Sequence, residues 1–170
     1  VPIDDHRWFN TLRAIQGSIT SEEAGAIIDV ARLAATADGT TSIDELAVIV
    51  MLRRMITEMA GGRMPDPSGA IDAHRLEAIG HALTAPGPRE LAYACAMIVM
   101  MHDLKLTAEE RDLAAELAKA LVIEPGRAKT ITAQVEALVR DEKHAPVVKT
   151  GTTVSGSATT LITTPDKLRS

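Results

Sequence analysis

The sequence predicts an all-α fold, a single-domain bundle of about seven helices built from two related helix–loop–helix halves. Three observations carry that prediction. Hydrophobic residues make up 46% of the chain but aromatics only 2%, so the core is built from Ala, Leu, Ile, Val and Met, which suits close helix packing. Apolar residues recur at helical spacing between Ser/Thr caps and Gly or Pro stops. Finally, Ala37-Asp38-Gly39-Thr40-Thr41-Ser42-Ile43-Asp44-Glu45 returns in variant form as His102-Asp103-Leu104-Lys105-Leu106-Thr107-Ala108-Glu109-Glu110, each copy between two apolar-periodic segments.

Asp4 and Asp5 open a first helix that runs to Gln16, and Gly17 stops it. Trp8, Phe9, Leu12 and Ile15 form its apolar stripe, with the only Trp and Phe of the chain read as a clamp onto the core. Thr20-Ser21-Glu22-Glu23 caps a second helix whose buried face is Ala24, Ile27, Ile28, Ala31, Ala34 and Ala35, up to Asp38. The third helix runs from Ile43 to about Met59, where Leu46, Ile49, Val50, Leu52, Met55, Ile56 and Met59 recur at helical spacing before Gly61-Gly62. A Pro-containing loop from Arg63 to Gly69 marks the seam between the copies.

The fourth helix spans about Ile71 to Leu83. Its His74 and His81 lie about 10 Å apart along the axis, too far to chelate one ion unaided, and read as surface histidines. Ala85-Pro86-Gly87-Pro88 breaks the chain and sets Pro88 at a favourable first helical position for the fifth helix, which reaches His102. A sixth spans Ala108 to Leu121, and Pro125 opens a seventh to about Asp141 through Ala128, Ile131, Val135, Leu138 and Val139. Pro146 to Pro165 is rich in Thr, Ser and Gly, a composition that favours disorder over a docked extended tail. The resulting organisation is an N-terminal helix extension (1–20), a helical domain (21–142) with halves over 21–62 and 70–123 plus the final helix, and a tail (143–170).

A net charge of −5 and a pI near 5.5 leave no basic field for phosphate, so nucleic acid is not an expected partner. Cys95, the only cysteine, sits in the run Leu91 to Met101 and reads as a small buried hydrophobe. That run, the longest apolar one, is short of the roughly 18 residues of a membrane span, and the cytoplasm is the expected compartment. Met51, Met55 and Met59, like Met97, Met100 and Met101, are read as flexible core fillers rather than a soft-metal site.

The repeated motif has a plain local reading. Ser42 with Glu45, and Thr107 with Glu110, each fit an S/T-x-x-E capping box. Asp38 and Asp103 are not needed for the boxes and sit where the preceding helices end, mildly against the macrodipole. Were the two loops to meet at one end of the bundle, Asp38, Glu45, Asp103 and Glu110 would converge, and four carboxylates in one site repel unless a cation neutralises them. Such oxygen ligands suit Ca²⁺, Mg²⁺ or Mn²⁺ better than Zn²⁺, and no organic cofactor is expected. An EF-hand is excluded: with Gly39 at the sixth loop position, Ala34 and Thr36 fall where two oxygen ligands belong.

The order of Asp38-Gly39, Ser42-Ile43-Asp44-Glu45, Pro88-Arg89-Glu90-Leu91-Ala92, Asp103, Glu110-Arg111 and the Leu117-to-Ile123 ending resembles the tellurite-resistance TerB family and its TerB-like relatives, over roughly Ser21 to Val139. The resemblance implies an all-helical domain of two related halves, an acidic divalent-metal site, and a place in bacterial stress response and tellurite resistance. Carried over, it makes Asp38, Glu45, Asp103 and Glu110 the metal residues, with Glu23, Glu90 and Asp44 an outer acidic rim. Leu104 departs from the Asp-Gly such domains often have in the second half, which predicts a reshaped second loop.

Three functional readings follow. The first is a non-enzymatic, TerB-like metal-binding module acting with protein partners, a homo-oligomer being allowed. The second is a metal-free interaction scaffold, which predicts an exposed apolar groove or patch and separated carboxylates. The third is a metal-dependent hydrolase assisted by His102; no nucleophile elbow, phosphate loop or Ser-His-Asp spacing speaks for it. Tellurite reduction by this chain is not expected, because it needs thiols or a redox cofactor and Cys95 reads as buried.

Overall fold

A helix that is apolar on every side, as Leu91 to Met101 is, settles in water only when its whole circumference is covered. In the computed structural model, which describes residues 5–37, 39–64, 70, 71 and 73–144, that is what the other helices do. The order is α1 (Asp5–Ile15), α2 (Ser21–Ala35), α3 (Ile43–Met59), α4 (Ala73–Ala82), α5 (Pro86–Met101), α6 (Ala108–Ala120) and α7 (Pro125–His144), with no strand among the described residues. The chain is therefore all-helical. Asp4, Asp38, most of the seam loop and the tail from Pro146 lie outside the described residues.

Two units are distinguished by their internal contacts. Ile3–Glu142 is one, and Val1–Pro2 with Lys143–Ser170 is the other, of which only Lys143 and His144 at the end of α7 are described. Within the first unit α5 is the central element, and every residue from Leu91 to Met101 is buried. It packs most extensively against α2 and also meets α1, α3 and α6, while α2 carries α3 and α4. Both central helices are rich in alanine, whose small side chain permits close approach: Ala24, Ala31 and Ala34 of α2, and Ala92, Ala94 and Ala96 of α5, are all buried. Trp8 and Leu12 of α1 and Ile131, Val135, Leu138 and Val139 of α7 belong to the same core. Met51, Met55, Met59, Met97, Met100, Met101 and Cys95 are core residues as well.

Some boundaries and faces differ from the sequence expectations. The second helix stops at Ala35 rather than near Asp38, because the amide and hydroxyl of Thr36 both donate to the Leu33 carbonyl. The fifth begins at Pro86, and both prolines of its first turn are accommodated where no helical partner for N–H exists. Leu46 and Val50 of α3 and Leu76 of α4 fit the apolar spacing yet are 52%, 64% and 46% exposed.

The ends of α3 and α6 use the same device. Gly61 and Gly62 donate to the carbonyls of Glu58 and Thr57, a Schellman closure with Gly61 in the left-handed region at φ 73°. Val122 and Ile123 donate to Lys119 and Ala118 in the same pattern, but here the left-handed position is a valine at φ 55°.

Candidate functional site

Each acidic loop begins where a helix closes and ends where the next is capped. In the first, the Gly39 amide donates to the Thr36 carbonyl at 3.0 Å and the Thr41 hydroxyl reaches back to Ala35. In the second, the Leu104 amide donates to the Met101 carbonyl at 2.8 Å. Gly39 has φ 88° and Leu104 φ 64°, so both turns pass through the left-handed region at the residue after the Asp. The expected reshaping of the second loop does not occur at this turn. Leu104 takes the strained conformation and packs partly against the core.

Both predicted capping boxes are formed. Ser42 Oγ accepts from the Glu45 amide at 3.1 Å while Glu45 Oε1 accepts from the Ser42 amide at 2.7 Å. Thr107 and Glu110 repeat this at 3.1 and 2.8 Å, and Thr20 with Glu23 make a third box at the start of α2. The third box separates what capping requires from what it does not. Glu23 is only half-buried, whereas Glu45 and Glu110 are 6% and 5% exposed. Their second carboxylate oxygens accept no hydrogen bond among the described residues.

Asp103 is exposed and turned onto its own loop, where Oδ1 accepts from the Lys105 amide at 3.0 Å. Asp38 lies outside the described residues. Among the described residues no group of three or more His, Cys, Asp or Glu side chains could hold a metal ion, so Glu45, Asp103 and Glu110 do not form one. His102 sits at the end of α5, with Nδ1 2.8 Å from the Val99 carbonyl. Because that carbonyl can only accept, Nδ1 carries the proton.

Three features escaped the sequence reading. Asp29, in the middle of the apolar run of α2, is 5% exposed and carries two guanidinium groups, Arg32 at 2.9 Å and Arg75 of α4 at 2.8 Å. Beside this pair runs an open groove of about 620 Å³ between α2 and α4, lined by Gly25, Ala26, Ala78 and Ala82 with His74 and His81 along it. The third feature is the outer face of α3. Ile43, Leu46 and Val50, at i, i+3 and i+7 on a single helical stripe, are 83%, 52% and 64% exposed, with Ala47 exposed beside them.

Arg53, also exposed, follows at the carboxyl end of that stripe and makes no ion pair among the described residues. Asp44 is exposed in the first turn of α3, about 100° round the helix from Ile43. Isolated aliphatic residues on a surface are ordinary, but three in register on one helix face form a contiguous apolar strip.

No helix among the described residues is long and apolar enough to cross a membrane. No protein-family model matches the chain, and none of the curated proteins or solved structures compared with it is significantly similar. The TerB resemblance therefore stands on the quoted motifs alone.

Proposed function

We propose that this chain is a non-enzymatic helical interaction module that docks protein partners on the outer face of α3. The observation that carries this reading is the strip Ile43–Leu46–Val50, each of whose side chains is more than half exposed. Exposing aliphatic side chains forfeits about 25 cal/mol for each Å² left in water, and the fold covers less than half of each of these three. A partner helix laid along the strip would recover it. The resemblance to TerB-like domains suggests that such partners belong to a bacterial stress-response system.

A photo-cross-linking amino acid in place of Ala47 tests the reading in cells that naturally contain the protein. An adduct is expected from that position and its loss in Leu46→Glu, with helicity unchanged. An adduct no stronger than from the same probe in place of the exposed Glu116 on α6 overturns it.

A second reading, a divalent cation bound at the acidic loops through Asp38, Glu45, Asp103 and Glu110, requires the loops to close around the ion, since Glu45, Asp103 and Glu110 do not come together without it; one observation favours it. Glu45 and Glu110 are buried beyond what their capping boxes need, each with one carboxylate oxygen that accepts no hydrogen bond among the described residues. Ca²⁺, Mg²⁺ or Mn²⁺ are the ions whose preference for oxygen ligands fits this donor set.

A further inference from the structure

A helix as short as α4, with 10 residues, is marginal by itself in water and depends on what it packs against. For α4 that support is thin. Its one extensive neighbour is α2, and between His74 and Ala82 only the side chain of Ile79 is buried, the others being exposed or half-buried. Gly80 weakens the helix further, because a glycine inside a helix loses more backbone freedom than an alanine does. The packing against α2 is also incomplete. Gly25 and Ala26 on one side and Ala78 and Ala82 on the other line the open groove of about 620 Å³, which their short side chains do not fill.

The two ends of α4 are held differently. Just beyond the carboxyl end Leu83 is buried and its carbonyl accepts from Arg89 Nε of α5 at 2.8 Å, which fixes that end to the central helix. Toward the amino end the tie is ionic: Arg75 meets Asp29 at 2.8 Å, with the arginine side chain still 30% exposed and the carboxylate shared with Arg32. We propose that α4 is a latched strap. The Arg75–Asp29 pair releases, the helix lifts from α2 about the exposed Thr84 and Ala85, and α4 opens and unfolds as one unit while α2 and α5 stay folded. Asp29 keeps Arg32 as its partner in the open state, so release leaves no buried carboxylate without a cation. Opening uncovers Ala26 of α2 and Ile79 of α4, apolar surface that does not belong to the outer face of α3, and the inference is independent of the docking reading.

Residue-resolved hydrogen exchange of the full chain, followed by NMR in increasing urea and corrected for intrinsic rates, tests this. The amides bonded within α4, Glu77 to Ala82, are expected to exchange roughly a hundredfold faster than the core amides of α5. They should do so through one shared opening whose urea dependence is shallower than that of α5 but not zero. Arg75→Ala should speed the exchange of α4 about tenfold by removing the latch. Gly80→Ala should slow it about fivefold, its added methyl meeting nothing within 4 Å. Exchange of α4 at the rate and urea slope of α5 overturns the inference, because α4 then leaves only with the whole fold. Exchange graded inward from the helix ends with no urea slope overturns it as well, since that is fraying and not the opening of a unit. An α4 rate indifferent to Arg75→Ala removes the latch, and the strap falls with it.

Discussion

Leu104 holds the left-handed backbone that Gly39 holds at the matching point of the first loop, and its amide closes onto Met101 as that of Gly39 closes onto Thr36. The turn is thus set by the helix ends and caps around it rather than by the glycine. A leucine tolerates the position because its side chain finds partial cover against the core.

That comparison predicts where strain can be removed. A non-glycine residue in the left-handed region costs roughly 1–2 kcal/mol. Val122 incurs this at φ 55° while 73% exposed, so a substitution there loses almost no packing. Val122→Gly should raise stability by about 1 kcal/mol in urea unfolding, the relief of strain outweighing the added freedom of the unfolded chain. Leu104→Gly should gain less, because it also gives up partial burial. The reverse order would mean that the left-handed penalty is not what separates the two sites.

The capping boxes and the metal reading are separable by substitution. Ser42→Ala and Thr107→Ala should each cost about 1 kcal/mol by removing the acceptor for the third amide of the helix. Glu45→Gln keeps an acceptor for the Ser42 amide and should leave the metal-free protein near parental stability. Chelator-treated protein titrated with Ca²⁺, Mg²⁺, Mn²⁺ and Zn²⁺ then decides the rest. A bound ion raises stability by about 2.7 kcal/mol at roughly a hundredfold excess over its dissociation constant. A rise in melting midpoint with one ion, lost in Asp38→Asn and in Glu45→Gln, is the outcome the metal reading expects. An unmoved midpoint with all four sinks it.

One buried face of α2 was legible because Ala24, Ile27, Ile28, Ala31, Ala34 and Ala35 recur on one side and are all buried; Ala26, Asp29 and Val30, off that side, are buried as well and were not read. The third helix was less legible because it is apolar on more than one side. Leu46 and Val50 fit the same spacing as Leu52 and Ile56, and only the neighbouring helices α1, α2 and α5 determine which set is covered. The capping boxes could be read from four consecutive residues and formed as spaced. Whether the two loops meet is a question of tertiary geometry that local spacing does not carry. Asp29 illustrates the same limit, since its partner Arg75 comes from another helix 46 positions away.

Asp29 is expected to be a stability residue. Its side chain is 7% exposed and draws Arg32 and Arg75 onto the surface of α2, the second of them fastening α4. Asp29→Ala removes the acceptor for both and should cost about 1–3 kcal/mol in chemical unfolding. The guanidinium groups, at 26% and 30% side-chain exposure, keep access to water, which holds the cost below that of a fully buried broken pair. Arg75→Ala should cost less than Asp29→Ala, because Arg32 still serves the carboxylate. Equal or larger loss from Arg75→Ala would show that the α2–α4 contact depends on the arginine stem rather than on the charge pair.

Cys95 gives a pH dependence with a definite sign. Burial within α5 pushes its thiol up from 9.0 to about 12, since the thiolate has no solvent to charge into. The native state therefore holds the proton after the unfolded chain has released it. Stability from this residue is fully present below about pH 9 and is lost progressively as the pH climbs toward 12. The native thiol should resist Ellman's reagent at pH 8 and react fully in denaturant. Cys95→Ala should lower stability at neutral pH through the small cavity it leaves, and its stability should fall less steeply between pH 9 and pH 11 than that of the parent. Rapid native-state labelling, or an unchanged alkaline slope in the variant, would place the thiol in contact with solvent.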